Sequence, residues 1–268
     1  HYHCRHIKGF DFENLTRKVS RQGAWEADLP TITGPLEARD PFLPRDYRIA
    51  QGVTDRPIKI TVPGPMTITD SVADAYYNDD KSLGAALATA LNAEILALVD
   101  AGCTWIQVDE PVFARNPNKA LDYGFENLER CFEGVPDHVT RAVHMCCGYP
   151  EKLDQENFQK ADQMAYFQLA DAIEASSIQA ISLEDAHRHN DLSLLEKFKT
   201  TSVIFGVIAI AQSRIETVDE ITKRLNAALE HIDADRLIAA PDCGLGFLNR
   251  ELVLAKLGNM VAAARGVG

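Results

Sequence analysis

Basic residues are in the minority: 27 Lys and Arg stand against 39 Asp and Glu among 268 residues, a formal net charge of −12. Affinity for phosphates comes largely from counterions released by a basic face, so neither a nucleic acid nor a membrane is expected as a partner. No uninterrupted apolar run reaches about 18 residues, so no transmembrane helix is expected. Neither G-x-G-x-x-G nor G-x-x-x-x-G-K-[S/T] occurs, which leaves nothing to support a nucleotide site. Cysteine is sparse: six in the chain, at irregular spacing. They read as reduced thiols of a cytoplasmic protein rather than as a disulfide framework. The start, HYHCRHIKGF, is polar and basic and unlike a signal peptide. Its His1, His3, His6 and Cys4 read as a solvated terminus rather than as a second metal site.

What is present from residue 56 onward is alternation. Apolar, β-branched runs at 57–65, 104–111, 140–148, 177–185, 201–211 and 235–245 are separated by helical patterns. The clearest helices are GAALATALNAEILALVDAG at 84–102, closed by Gly102, and VDEITKRLNAALEHI at 218–232, with Ile221, Leu225, Leu229 and Ile232 on one face. A further helix is expected near 160–175 and a closing one at 250–265. Nearly continuous apolar strands alternating with helices predict a parallel sheet covered by helices. Four strands end in reactive residues: Asp109 and Glu110, His144 and Cys146, Glu184 and Asp185, Asp242 and Cys243. Recruitment of so many strand ends points to a (β/α)8 TIM barrel, whose sites lie at the carboxyl ends of the strands, rather than to an open doubly wound sheet. Six strands are visible, so the first one or two are expected upstream of His1. Residues 1–55 form an N-terminal segment in which LPTITG (29–34) belongs to a surface hairpin, and 56–268 form the barrel, one domain overall.

His144 and Cys146 are two residues apart, and side chains two apart on a strand share a face. An imidazole and a thiol are thereby aimed at one point. In a closed barrel the ends carrying Glu184 and Cys243 surround the same mouth. One histidine, two cysteines and a carboxylate suit zinc better than magnesium or calcium. The plainer alternative is a core histidine beside inert thiols; the strand-end placement, with PDCG at another strand end, favours the metal. Cys147 faces the other way and is expected to pack, as are Met145, Cys103 and Cys131.

HMCCG, IQVDEP, ISLED and APDCGL, in an order running through 56–265, resemble the catalytic domain of cobalamin-independent methionine synthases. The resemblance implies a zinc enzyme in a (β/α)8 barrel, with ligands His144, Cys146, Glu184 and Cys243. It implies that Asp109, with Glu110 beside it, binds the substrate, Asp109 through the amino group of homocysteine. Zinc would deprotonate the thiol, and Glu184 would be the ligand that gives way when the thiol arrives. Methyl transfer from 5-methyltetrahydrofolate needs a proton at N5, and the family supplies a D-x-H or D-x-K for it. Here those positions are Ala209 and Ala211, and the PGPMTITDS segment (63–71) also departs from the family. The family's substrate-binding serine and glutamate would lie upstream of His1. SLEDAHRHND (182–191) offers His187 and His189 as acids and Arg188 as an anion clamp, or simply a solvated capping turn. Arg214 and Glu216 read as a charged pair at the rim or a substrate clamp, and Asp70 as a helix cap. Three functions follow: methyl transfer to homocysteine, thiol addition to an epoxide as in epoxyalkane:coenzyme M transferase, and a non-catalytic zinc-binding barrel. The first two require a small-molecule thiol and an alkyl donor, folate or epoxide, as partners. The sequence leaves the oligomeric state, homo-oligomer included, open.

Overall fold

The computed structural model describes residues 2–20, 25–148 and 150–267, so His1 lies outside the described residues. The chain forms two compact units, His1–Ala142 and Val143–Gly268.

The first unit opens on a hairpin of two 14-residue strands, β1 (Ile7–Ser20) and β2 (Trp25–Ala38), paired antiparallel. It is longer than LPTITG alone suggested and not confined to the surface. Leu29 and Ile32 are fully buried, because β2 packs on a core helix while most of β1 stays solvated. Nor is the terminus before it frayed. His3–His6 form a short turn in which Cys4 is buried, and the His6 ring stacks on Phe42 at 3.8 Å. Helix α1 (Leu43–Gln51) has no side-chain cap of its own; Glu94 accepts from the N–H groups of Phe42 and Leu43 instead.

Next come β3 (Lys59–Pro63), α2 (Pro65–Asp70), the two-residue β4 (Ala73–Asp74), α3 (Asp80–Asp100) and β5 (Trp105–Asp109). β3 and β5 run parallel in register from Lys59–Trp105 to Pro63–Asp109. α3 begins where Asp79 accepts from Ser82 N–H, and it ends before Gly102, whose φ of 95° needs glycine. Its length and composition would suit a membrane span, but Leu83, Leu87, Leu91, Ile95 and Leu98 form a buried face at helical spacing, the pattern of a core helix. Asp70 does not cap a helix; it is the last residue of α2 and pairs with Arg115. Three short helices follow, α4 (Pro111–Arg115), α5 (Pro117–Lys119) and α6 (Phe125–Cys131).

Strand β6 (Thr140–Met145) carries the chain into the second unit, which contains α7 (Ala165–Glu174), β7 (Ala180–Leu183), β8 (Ser202–Ile208), α8 (Val218–Leu229), β9 (Leu237–Pro241) and α9 (Arg250–Arg265). β7, β8 and β9 are neighbours and run parallel. All six expected strands form. α8 starts on a capping box between Thr217 and Glu220 and buries Ile221, Leu225 and Ala228; Leu229 is only half-buried.

Candidate metal centre

β6 ends with His144 and Met145 buried, followed by Cys146 and Cys147, also buried. The nitrogen of His144 and the sulfurs of Cys146 and Cys243 lie within 4.8 Å of one another. Zinc bonds of about 2.0–2.3 Å hold tetrahedral ligand atoms a little under 4 Å apart, so small side-chain adjustments would close this group on a cation. Ser182 Oγ lies 2.9 Å from His144 Nδ1, which leaves Nε2 as the nitrogen for a ligand role. Cys146 donates its S–H to Cys243. That bond, with a second from His144, draws the Cys243 thiol down to about 4, although burial opposes it. Cys146 moves the other way, well above the ordinary thiol range, because its proton is held by Cys243 and it is buried. The two sulfurs thus face each other across a space that a divalent cation could occupy. Cys147 lies outside the group; burial raises its thiol, and it bonds to Tyr166.

Glu184 follows β7 and is buried, but it stands outside the three-residue group. Its Oε1 accepts from Lys160 Nζ at 2.6 Å. The next residues are held by Asp242, which precedes Cys243. Asp242 accepts from the N–H groups of Asp185, Ala186 and His187 and from His187 Nδ1 at 2.7 Å. Gly206 on β8 makes this possible, since a Cβ there would run into the Asp242 carboxylate and the Leu183 carbonyl. His187 Nε2 in turn accepts from Ala211 N–H at 3.2 Å, so both ring nitrogens are engaged. That arrangement positions a loop and leaves His187 no nitrogen for proton transfer. His189 is exposed, with Nδ1 against Asp185, and Asp185 is clamped by Arg224 at 2.6 and 2.7 Å. The 184–190 segment is therefore a bonded loop rather than a solvated turn. Arg188 donates to the Ala161 carbonyl.

The end of β8 carries Ala209 and Ala211, both buried. In place of a side-chain acid, the backbone of Ala209 is gripped from both sides. Its N–H donates to Glu216 Oε1 at 2.9 Å, and its carbonyl accepts from Lys256 Nζ at 3.0 Å. Lys256 is fully buried on α9 and pairs with Glu216 at 2.9 Å. Arg214 does not pair with Glu216; its partner is Glu220, on the exposed rim. Lys160, His187, Arg188, Ala211 and Arg214 line part of a cleft of about 400 Å³ in this unit.

Asp109 and Glu110 lie in the first unit. Asp109 accepts from Gln107 at 2.7 Å. Glu110 is not available to a substrate: it is fully buried, and its oxygens accept from Met66 N–H and from the N–H and hydroxyl of Thr67 at the start of α2. Burial pushes its carboxyl up to about 7. A Cβ at Gly64 would collide with it.

Sequence reasoning did not find Lys160, Lys256, Ser182 or the grip of Asp242. Ser182 could have been found by parity, two residues before Glu184; Lys160 falls at the start of the helix expected near 160–175, but that helix begins only at Ala165, which leaves Lys160 in the loop before it.

Fold and site together define a parallel α/β protein with a His–Cys–Cys centre, two of its three side chains buried and the third half-buried, competent to hold a metal. The family model described as the catalytic domain of cobalamin-independent synthase matches residues 1–266, and the chain belongs to that family. It is 31% identical over 228 residues to a methionine synthase of Thermococcus kodakarensis, covering 84% of this chain and 62% of the relative. It is 30% identical over 232 residues to one of Pyrococcus abyssi, covering 86% and 63%. The chain thus spans a little under two thirds of the length of these relatives. Among solved structures, a B12-independent methionine synthase from a Shewanella species, in complex with selenomethionine, superposes with a TM-score of 0.90 at 31% identity, covering 98% of this chain and 77% of that one. The fold is accordingly of the (β/α)8 barrel class of those synthases.

Proposed function

We propose that this chain is the catalytic domain of a zinc-dependent thiol alkyltransferase that methylates homocysteine. The observation that carries the reading is the gathering of His144, Cys146 and Cys243 within 4.8 Å, in a member of the cobalamin-independent synthase family. Zinc, when bound, would supply a deprotonated, nucleophilic substrate thiol at neutral pH. The residues of the chain do the rest. Ser182 fixes the His144 ring, Asp242 holds the loop after Glu184, and Cys146 is buried while Cys243 is half-buried, which leaves one sulfur of the centre within reach of the solvent side. In the transfer, the methyl C–S bond forms as its C–N bond to the donor breaks, and the donor nitrogen takes up a proton. With alanines at 209 and 211, no acid side chain stands at the family's positions, and Arg188, which lines the cleft, is placed to hold an anionic group there. The names of the relatives favour a methyl transfer that makes methionine over epoxide opening and over a purely metal-binding role. Six free cysteines, two of them in the centre, fit a reducing, cytoplasmic setting.

The test is metal content and thiol methylation measured together. One zinc per chain is expected, lost in Cys146→Ser and retained in Cys147→Ser. Methionine should form when the zinc-loaded protein receives homocysteine and a methyl donor. Equal zinc in both variants, or no alkylated thiol from homocysteine with any methyl donor, would overturn the reading.

A further inference from the structure

Of the two acids at the exit of β5, Glu110 is committed to the start of α2, and Asp109 is half-buried with its backbone carbonyl tied to Gly64 N–H at 2.8 Å. The Asp109 side chain is served from further back in the sheet. Its Oδ1 accepts from Gln107 Nε2 at 2.7 Å, and Gln107 Oε1 accepts from Lys59 Nζ at 2.5 Å. The register explains the reach. Lys59 on β3 lies beside Trp105 on β5, so Lys59, Gln107 and Asp109 share one face and follow one another toward the carboxyl end. Gln107 is buried, and only one setting of its amide works. An ammonium only donates and an ionised carboxylate only accepts, so Oε1 must meet Lys59 and the NH2 must meet Asp109. Lys59 as a residue keeps solvent access, but its ammonium end lies among these side chains. Burial draws that ammonium below the ordinary lysine range, and the charge of Asp109 acts against the shift. The two charges thus feel each other across the amide.

We propose that Gln107 and Lys59 are positioning residues that fix Asp109 as an ionised acceptor for the ammonium group of the amino-acid substrate, and so select a thiol that carries an amine. This rests on the homocysteine reading above. A carboxylate whose rotamer and charge are set before the substrate arrives loses little freedom on binding, which lets an ion pair appear as affinity. The amide passes on the influence of the lysine without placing its ammonium on the carboxylate, so Asp109 stays anionic toward an incoming cation. The carboxyl end of a parallel strand is also where barrels of this class carry the groups that meet substrate.

The experiment compares two thiols on the zinc-loaded full chain by calorimetry: homocysteine, and 4-mercaptobutyrate, which is homocysteine without its amino group. The wild type is expected to bind homocysteine at least about tenfold more tightly, and Asp109→Asn should abolish that preference. Gln107→Leu should weaken homocysteine about tenfold and Lys59→Met about threefold, each leaving 4-mercaptobutyrate within about twofold of its wild-type value. Lys59→Arg, which keeps the donor, should restore the preference. A merely structural role predicts something else, equal weakening of both thiols, and that result would overturn the inference. So would homocysteine affinity unchanged in both variants, or a preference that survives Asp109→Asn. Should Gln107→Leu fail to fold, Gln107→Met carries the same comparison, and Lys59→Met tests the chain from its other end. Failure of the homocysteine reading looks different: the wild type itself would bind the two thiols equally, or neither, and the inference would fall with it.

Discussion

Lys256→Met tests the energetic reasoning at its most exposed point. Lys256 has no solvent access, and its ammonium reaches the Ala209 carbonyl at 3.0 Å and the two Glu216 oxygens at 3.1 and 2.9 Å. Methionine fills nearly the same volume, so the loss is one of charge and hydrogen bonds rather than of packing. Glu216 would be left buried with the Ala209 N–H as its remaining donor among those bonds, and the Ala209 carbonyl would lose its lysine donor. Breaking one side of a buried ion pair costs about 3–5 kcal/mol. Glu216 keeps one bond, so the lower end, about 3 kcal/mol, is expected. For a chain of this size each kcal/mol moves the melting temperature by about 2–4 °C, giving a fall of about 6–12 °C. Thermal melts and urea titrations followed by far-ultraviolet circular dichroism measure it. Adding Glu216→Leu to Lys256→Met should recover all but about 1 kcal/mol, because the pair is then removed rather than broken. The reasoning is refuted if Lys256→Met costs under 1 kcal/mol, or if the double variant is less stable than the single.

Three further outcomes are expected. Ser182→Ala should weaken zinc binding about 10- to 100-fold by releasing the His144 ring, read by chelator competition; an unchanged dissociation constant would show that Ser182 does not orient the ligand. Gly206→Ala should cost about 1–3 kcal/mol in urea unfolding, because its Cβ meets the Asp242 carboxylate and the Leu183 carbonyl; a cost within 0.5 kcal/mol would mean that Asp242 moves freely. Glu110, pushed up by burial from an ordinary value of 4.5 to about 7, is more easily protonated folded than unfolded. Its contribution to stability is therefore full below about pH 4.5, is lost as the pH rises to about 7, and is constant beyond. Glu110→Gln should remove that part of the wild-type slope, and identical pH profiles for the two proteins would count against the shift.

The parts of this molecule that could be read from the sequence are those written in local periodicity. Each buried parallel strand is a short apolar run with a polar exit, so all six could be found and their ends located. His144-x-Cys146 follows from the two-residue repeat of a strand, and a second thiol at the end of β9 completes the group. The full length of the hairpin is not legible in the sequence because β1 is mostly polar and solvated and β2 is interrupted by Pro30 and Pro35; neither shows alternation even though Leu29 and Ile32 are buried. Lys160 and Lys256 were invisible for a different reason. One lies in a segment without regular structure, the other midway along α9, and a lysine in either place reads as solvated. Only the fold supplies the buried carboxylates that retain them.

Asp242 and Cys243 are consecutive residues, and this adjacency has a mechanical consequence. The first grips the backbone of three residues in the loop that carries Arg188 and His189; the second gives its sulfur to the centre. One turn at the end of β9 is therefore both the anchor of the loop and the arm of a thiolate. The two roles are separated by one Cα-to-Cα step of about 3.8 Å, so the backbone at 242–243 cannot be repositioned for the loop without also repositioning the Cys243 side chain.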